Sequence, residues 1–333
     1  MTSSCPLTHL HSTVRILLAA VLLMLNYNSA WAQGNYPSRP IRVTLGFSAG
    51  TSPDVALRLF AEKLSEKWHQ PVVVENATGA AGNVAGQRVA HSAADGYNLL
   101  FASSSSIVVS PSLYKTMPYN PIKELRPISI FYTHPNVLVV NNGLGVRNIQ
   151  ELIALARSKP GFLNAASAGT GTTQHLAVEM LRVMAGVDIV HVPYRGGMNL
   201  LQDLLSGQVS MTFAIPTNIM VQVGTGELTA LAVTSAKRFG FMPELPTIAE
   251  AGLPEFEMSV WWGLMAPVGT PNDVIQKLHQ ATVEILAMPS IRRRFDDMNI
   301  ETRASSPEEF AGIIAAEAPR WADLIARIGI RLD

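Results

Sequence analysis

The sequence predicts an α/β fold of two lobes, each a mixed or parallel sheet covered by helices, joined by two extended crossover strands. Three observations carry this prediction. Short β-branched runs alternate with amphipathic helical stretches, the rhythm of a largely parallel sheet. The runs fall into two series. Two long strand-like segments, 131–140 and 256–267, stand where a chain would leave the first lobe and return to it.

The first series comprises the runs 41–45, 71–75 and 97–101, each followed by a loop of Gly, Ser, Thr or Asn. After the apolar stretch 136–140 the second series follows, at 162–166, 189–193, 209–213 and 228–233. The expected division is therefore 33–135 with 256–333 for the first lobe and 136–255 for the second, with a hinge at the crossings and a cleft between. Helix starts are marked by caps. Asn148 with Glu151 forms a capping pair, and Thr270-Pro271-Asn272-Asp273 and Ser306-Pro307-Glu308-Glu309 open two long C-terminal helices. In the last of these, Phe310, Ile313, Ile314, Trp321, Leu324, Ile325 and Ile328 recur at core spacing, and Pro319 is expected to kink or divide it.

Composition narrows the function classes. The 333 residues carry 25 Lys+Arg against 25 Asp+Glu, and 48% are hydrophobic, which suits one large or two medium globular domains. Zero net charge without a basic stripe excludes a nucleic-acid footprint, and Arg292-Arg293-Arg294 reads as a solvated helix face. Arg15, the apolar run 16–25 and Ala30-Trp31-Ala32 form an export signal, residues 1–32, with cleavage near Ala32 and a periplasmic destination. The only cysteine, Cys5, falls within it, so neither a disulfide framework nor thiol chemistry is expected.

Two enzyme motifs are present in outline. Gly46-Phe47-Ser48-Ala49-Gly50 is a G-x-S-x-G between a strand and a helix, the context of a hydrolase nucleophile elbow. Too little chain precedes Ser48 for that fold, and His134, His175 and His191 lack a partner acid at a recognisable spacing, so an extracytoplasmic serine hydrolase using Ser48 is kept as the alternative. Gly169-Thr170-Gly171-Thr172-Thr173-Gln174 resembles a dinucleotide loop, but no acid ends the next strand, where Tyr194 and Arg195 stand. No metal-ligand spacing occurs, and no cofactor is expected.

What remains is a pattern of small hydroxyl and glycine residues at strand-to-helix junctions: 48–52, 78–83, 103–106 and 167–173. Such loops bring backbone N–H groups to an anion at helix N-termini, and four of them at the carboxyl ends of strands favour a ligand cleft. The candidate contacts are Phe47 as a wall, Ser48, Gly50, Thr51 and Ser52 as donors, and Ser103, Ser104, Ser167, Gly171, Thr172 and Thr173 completing the cage, with Tyr194 facing from the second lobe. Asp54, in the first turn of the first helix, would repel an anion at close range and is expected to turn sideways or act through water. Of Trp261 and Trp262, which alternate faces, at most one can reach the cleft.

The ordered landmarks Tyr36 to Ile41, Phe47 to Asp54, Gly79 to Asn83, Asp95-Gly96-Tyr97, Gln174-His175-Leu176-Ala177, His191 to Gly196, Asp203 to Val209, Pro246 to Gly252 and Ala266 to Pro271 resemble those of the tripartite tricarboxylate transporter receptors, the Bug family of extracytoplasmic solute receptors. The resemblance covers essentially all of the chain beyond residue 35. It implies a two-lobed periplasmic-binding-protein fold of type II that closes on a small organic carboxylate, held by loop amides, hydroxyls and water. It also implies a large and a small integral membrane subunit as partners, or a membrane sensor in place of transport, and a monomeric receptor without catalysis. Three departures bear on the ligand. Ser48 and Thr51 replace a Pro and a Gly of the family's first loop, Ala77 replaces an Arg, and Ala214 stands where the family has an Asp.

Overall fold

A computed structural model describes residues 36–194 and 197–332, so the export signal at 1–32 and Arg195 lie outside the described residues. Apolar residues alternate along Ile41-Arg42-Val43-Thr44-Leu45, and this run forms β1 (Ile41–Leu45) with Ile41, Val43 and Leu45 fully buried. It pairs in parallel with β2 (Val72–Asn76) and β3 (Asn98–Ser103). Helix α1 (Ser52–Trp68) links β1 to β2, and α2 (Asn83–Ala90) links β2 to β3. Beyond β3 a π-helical turn, Ser105–Val109, runs into α3 (Ser110–Leu113), and α4 (Pro121–Glu124) precedes the long β4 (Leu125–Pro135).

Only Asn136 separates β4 from β5 (Val137–Asn141), which belongs to a second sheet. There the chain continues through α5 (Ile149–Ser158), β6 (Asn164–Ser167), α6 (Thr173–Ala185), β7 (Val190–Pro193), α7 (Gly197–Ser206), β8 (Met211–Ala214), α8 (Met220–Gly224) and β9 (Leu228–Val233). Strands β6, β7 and β8 are parallel, while β5 runs antiparallel to β8 and β9. The strand order is β7-β6-β8-β5-β9. Strand β10 (Ser259–Pro267) then returns to the first sheet, antiparallel to both β3 and β4. Helices α9 (Asn272–Leu286) and α10 (Pro289–Asp297), the short β11 (Glu301–Thr302) and α11 (Pro307–Ile328) complete the fold, and the first sheet reads β11-β4-β10-β3-β1-β2. Two mixed sheets joined by two crossings are the fold class expected from the sequence.

The crossings are stitched side by side. The Asn136 amide donates to Thr234 Oγ1 at 2.9 Å, Thr234 N donates to Asn136 O at 2.9 Å, and Thr234 Oγ1 donates to Met258 O at 2.7 Å. Because Asn136 and Thr234 are wholly buried, these bonds are shielded from competing water and fix the two passages to each other. Strand β5 is apolar on both faces, as a central strand must be. Leu138 and Val140 join a core shared with Leu100, Ile130 and Leu176, whereas Val137 and Val139 pack on Ala166, Ala214 and Val233.

Of the two outcomes expected at Pro319, division of the helix does not occur. Helix α11 runs unbroken from Pro307 to Ile328 with Pro319 on its exposed side, where water can serve the carbonyl that the proline leaves without a donor. Its N-terminus is capped by Ser306, whose Oγ accepts from Glu309 N at 3.0 Å.

Candidate functional site

The loops that follow β1 and β2 pack back to back. A Cβ on Gly46 would run into the Gly82 backbone, so only glycine permits this approach. The second loop turns through Ala80 and Ala81 at φ 46° and 55°, a left-handed conformation that costs an L-residue with a Cβ about 1–2 kcal/mol. Phe47 lies beside Gly82 and meets Trp262 edge-on, with ring centroids 5.0 Å apart. Trp262 in turn stacks on Phe101 at 5.6 Å, while Trp261 points the other way and donates through Nε1 to Glu317 on α11 at 2.9 Å. Phe47 is thus the half-buried end of an aromatic row.

Asp54 organises the first loop. Its Oδ2 accepts from Gly50 N and Arg58 Nε, both at 2.9 Å, and its Oδ1 accepts from Asn76 Nδ2 at 2.9 Å. Burial pushes the carboxyl up, but the bonds from Arg58, Gly50 and Asn76 outweigh it and hold the group below its ordinary value. The Gly50 amide is therefore committed to Asp54. Thr51 is committed as well, since its Oγ1 donates to Ser48 O at 2.7 Å. Ser48 is exposed.

At the carboxyl end of β3 the situation reverses. Ser103 and Ser104 are 2% and 0% exposed, and neither Oγ has a hydrogen-bond partner. Around them Ser106 Oγ donates to Ser103 O at 3.0 Å, Ser110 Oγ donates to Ser105 O at 2.9 Å, and Asn83 Nδ2 donates to Ser110 Oγ at 2.9 Å, while Asn83 Oδ1 is itself buried without a partner. Two adjacent buried hydroxyls without an acceptor are costly to the fold.

The loop after β6 is knitted internally. Thr172 Oγ1 donates to Gly169 O at 2.7 Å and caps α6 by accepting from His175 N at 3.4 Å. Gly171, at φ +83°, donates its amide to His175 Nδ1 at 3.2 Å and lies against Leu113, Tyr114 and Leu332 of the other sheet's helical layer. Ser167 Oγ meets His191 Nε2 at 2.7 Å, and Tyr194 spends its hydroxyl on Asp203 Oδ2 at 2.6 Å. Burial lowers His175 and His191 to about 4, so both imidazoles are neutral near pH 7. Thr173, 7% exposed at the first position of α6, makes no side-chain hydrogen bond among the described residues.

Ser52 belongs to a different contact. Its Oγ is 2.5 Å from Thr217 Oγ1 and 3.2 Å from Asn218 Oδ1, both in the turn after β8. Beside this contact is a gap of about 10 Å³, room for one water, walled by Tyr132, His134, Pro216 and Asn299 among others. His134, buried and lowered to about 4 by desolvation, donates from Nδ1 to Pro135 O at 2.9 Å and receives Trp262 Nε1 at 3.4 Å. Thr217 and Asn218 were not singled out from the sequence, and His134 was named there only among histidines without a partner acid. Pro216-Thr217-Asn218 carries the same signal as the four loops that were, polar turn residues at the carboxyl end of a parallel strand.

The hydrolase alternative gains no support. No hydrogen bond joins the exposed Ser48 to a histidine among the described residues, and Ser167, which does meet one, is fully buried against an imidazole too weakly basic to activate it. Among the described residues no group of three His, Asp or Glu could hold a metal ion, and no helix is long and apolar enough to cross a membrane.

The family model described as "Tripartite tricarboxylate transporter family receptor" matches residues 56–330. Protein BugT of Bordetella pertussis is 36% identical over 89% of this chain and 91% of its own length. A solved structure of an R. palustris protein "with adipate" superposes with a TM-score of 0.83 at 33% identity, covering 89% of this chain and 99% of that one. The "periplasmic binding protein BugD" gives 0.81 at 33% identity, again over 89% and 99%. The length of these matches and the two-sheet architecture they share place the chain in the tripartite tricarboxylate transporter receptor family.

Proposed function

We propose that this receptor works in the periplasm, binds one small organic carboxylate between its two sheets, and yields it unchanged to the large and small membrane subunits of a tripartite transporter. The single observation that carries the reading is the pair of buried, unpartnered hydroxyls at Ser103 and Ser104. A hydroxyl is both donor and acceptor, but two side by side with no internal acceptor suit a ligand group rich in lone pairs. A carboxylate supplies that, and hydrogen bonds to a charged acceptor are roughly twice as strong as neutral ones. The uncommitted Thr173 hydroxyl at the start of α6 offers a donor from the second sheet, at a helix end that favours negative charge.

No cation is assigned to the ligand. Arg58, the guanidinium beside the first loop, is held by Asp54 and Asn76. Charge is then balanced by hydroxyls, amides and water, which fits the family's mode of binding and the adipate named for the R. palustris relative. Contacts from both sheets would draw the lobes, 33–135 with 256–333 and 136–255, toward the closed state, because a ligand shifts that balance only by its difference in affinity for the two states. The receptor acts as a monomer, without catalysis, after removal of residues 1–32.

A thermal-shift screen of organic acids tests this. A ligand at a hundredfold excess over its Kd adds about 2.7 kcal/mol of stability, a shift well above noise. At least one di- or tricarboxylate should raise the melting temperature while its uncharged amide does not. A panel in which neutral compounds stabilise as well as their acids would count against a carboxylate site.

A further inference from the structure

Beneath the loop that joins β6 to α6 lie two imidazoles in face contact. The rings of His175 and His191 are 4.0 Å apart at an interplanar angle of 27°. One holds each end of the loop: His191 Nε2 meets Ser167 Oγ at 2.7 Å, and His175 Nδ1 receives the Gly171 amide at 3.2 Å. His175 is only 6% exposed, and its second nitrogen faces Glu179 Oε1 at 3.7 Å. Glu179 is itself fixed by Arg182, whose Nη1 donates to both carboxylate oxygens at 2.9 and 2.7 Å.

These contacts assign the tautomers. A backbone N–H can only donate, so His175 Nδ1 must be the bare acceptor and its proton must sit on Nε2, toward Glu179. The hydroxyl of Ser167 lies 3.1 Å from Gly169 O, so if it donates there His191 donates to it from Nε2.

We propose that the stacked pair is a brace for the second sheet's half of the ligand site, with His175 as the positioning residue that fixes Gly171 and thereby the aim of Thr172 and Thr173. The inference rests on the reading of Thr173 as a ligand contact, and it adds a cause for that geometry. Gly171 stands at φ +83°, and its amide has no other acceptor among the described residues. Without His175 Nδ1 that buried donor has no partner, and the turn that leads into α6 loses the bond that selects its conformation. The stack is possible because both rings are uncharged, as their burial already dictates.

The test uses the whole chain labelled with ¹⁵N, the variants His175→Ala and His175→Asn, and adipate as the probe. Asparagine places an oxygen close to where Nδ1 stands, so it restores the acceptor without the ring. In the wild type we expect a scalar coupling across the hydrogen bond between Gly171 N and His175 Nδ1, with the proton on Nε2. His175→Ala should move the Gly171 amide resonance and weaken adipate binding by about 10-fold, the loss of one buried hydrogen bond, and His175→Asn should recover most of the affinity. Absence of the coupling in the wild type overturns the brace, as does His175→Ala binding adipate with wild-type affinity. If the alanine variant fails to fold, the wild-type coupling and the asparagine variant decide. If the wild type itself binds neither adipate nor any other organic acid, the receptor reading fails, and the brace is judged on the coupling alone.

Discussion

Replacing Ser104 by alanine should improve the empty protein and damage the occupied one. Its hydroxyl is 0% exposed and has no hydrogen-bond partner, so the folded chain carries the desolvation cost of a polar group without compensation. That cost is about 1–3 kcal/mol, and alanine removes it at the expense of a few van der Waals contacts. A net gain of about 1 kcal/mol corresponds to a rise on the order of 2 °C in melting temperature for a chain of this size. With a carboxylate bound, the same hydroxyl becomes a charge-assisted donor worth about 1.5–3 kcal/mol, so its loss should raise Kd about 10- to 100-fold. Scanning calorimetry of the empty variant and isothermal titration of the best acid from the thermal-shift screen read the two effects separately. A melting temperature that falls by several degrees together with an unchanged Kd would refute the reasoning, because it would mean that the hydroxyl serves the fold and not the ligand.

Three further outcomes follow from the same geometry. Asp54→Ala should cost about 2 kcal/mol in urea unfolding, since Gly50, Arg58 and Asn76 all lose their acceptor and the first loop loses its anchor. Ala81→Gly, at φ 55°, should raise stability by about 0.5–1 kcal/mol, the relief of the left-handed backbone less the extra freedom glycine gives the unfolded chain. His134 is lowered from 6.5 to about 4, so its contribution is fully present above about pH 6.5 and is lost as the pH falls through about 4. The unfolded chain takes up the proton first in that window, and the shift bounds the loss from this group at about 3 kcal/mol; His134→Gln should make the stability curve less steep in denaturation from pH 7 to pH 4, with His175 and His191, lowered as far, supplying the slope that remains.

The two-sheet architecture was legible because it rests on periodicity, which local sequence carries. Strand β5 is the clearest case, since Val137 to Val140 are four successive apolar residues, three of them β-branched, a run too short for a helix and suited to a strand buried on both faces. Whether Pro319 divides its helix depends on whether that helix face is wet, which a periodic pattern conveys only weakly. At the candidate site the sequence places small polar residues at the strand ends but does not tell which of their donors are already committed. Gly50, Thr51 and Ser103 look alike as small polar residues after a strand, yet Asp54 and Ser48 absorb the donors of the first two and leave the third unpartnered. Those partners lie within a few residues, but which atom faces inward is decided by packing between loops, as at Gly46 and Gly82. The contact of Ser52 with Thr217 spans the two sheets, and no local rule reports it.

The most direct test of the central claim is a crystal structure of the protein with the organic acid that stabilises it most. The account predicts an intact acid between the sheets with carboxylate oxygens within hydrogen-bond distance of the Ser103 and Ser104 hydroxyls. An acid seated elsewhere with both hydroxyls still unpartnered, or density for a cleaved or covalently attached product, would contradict it.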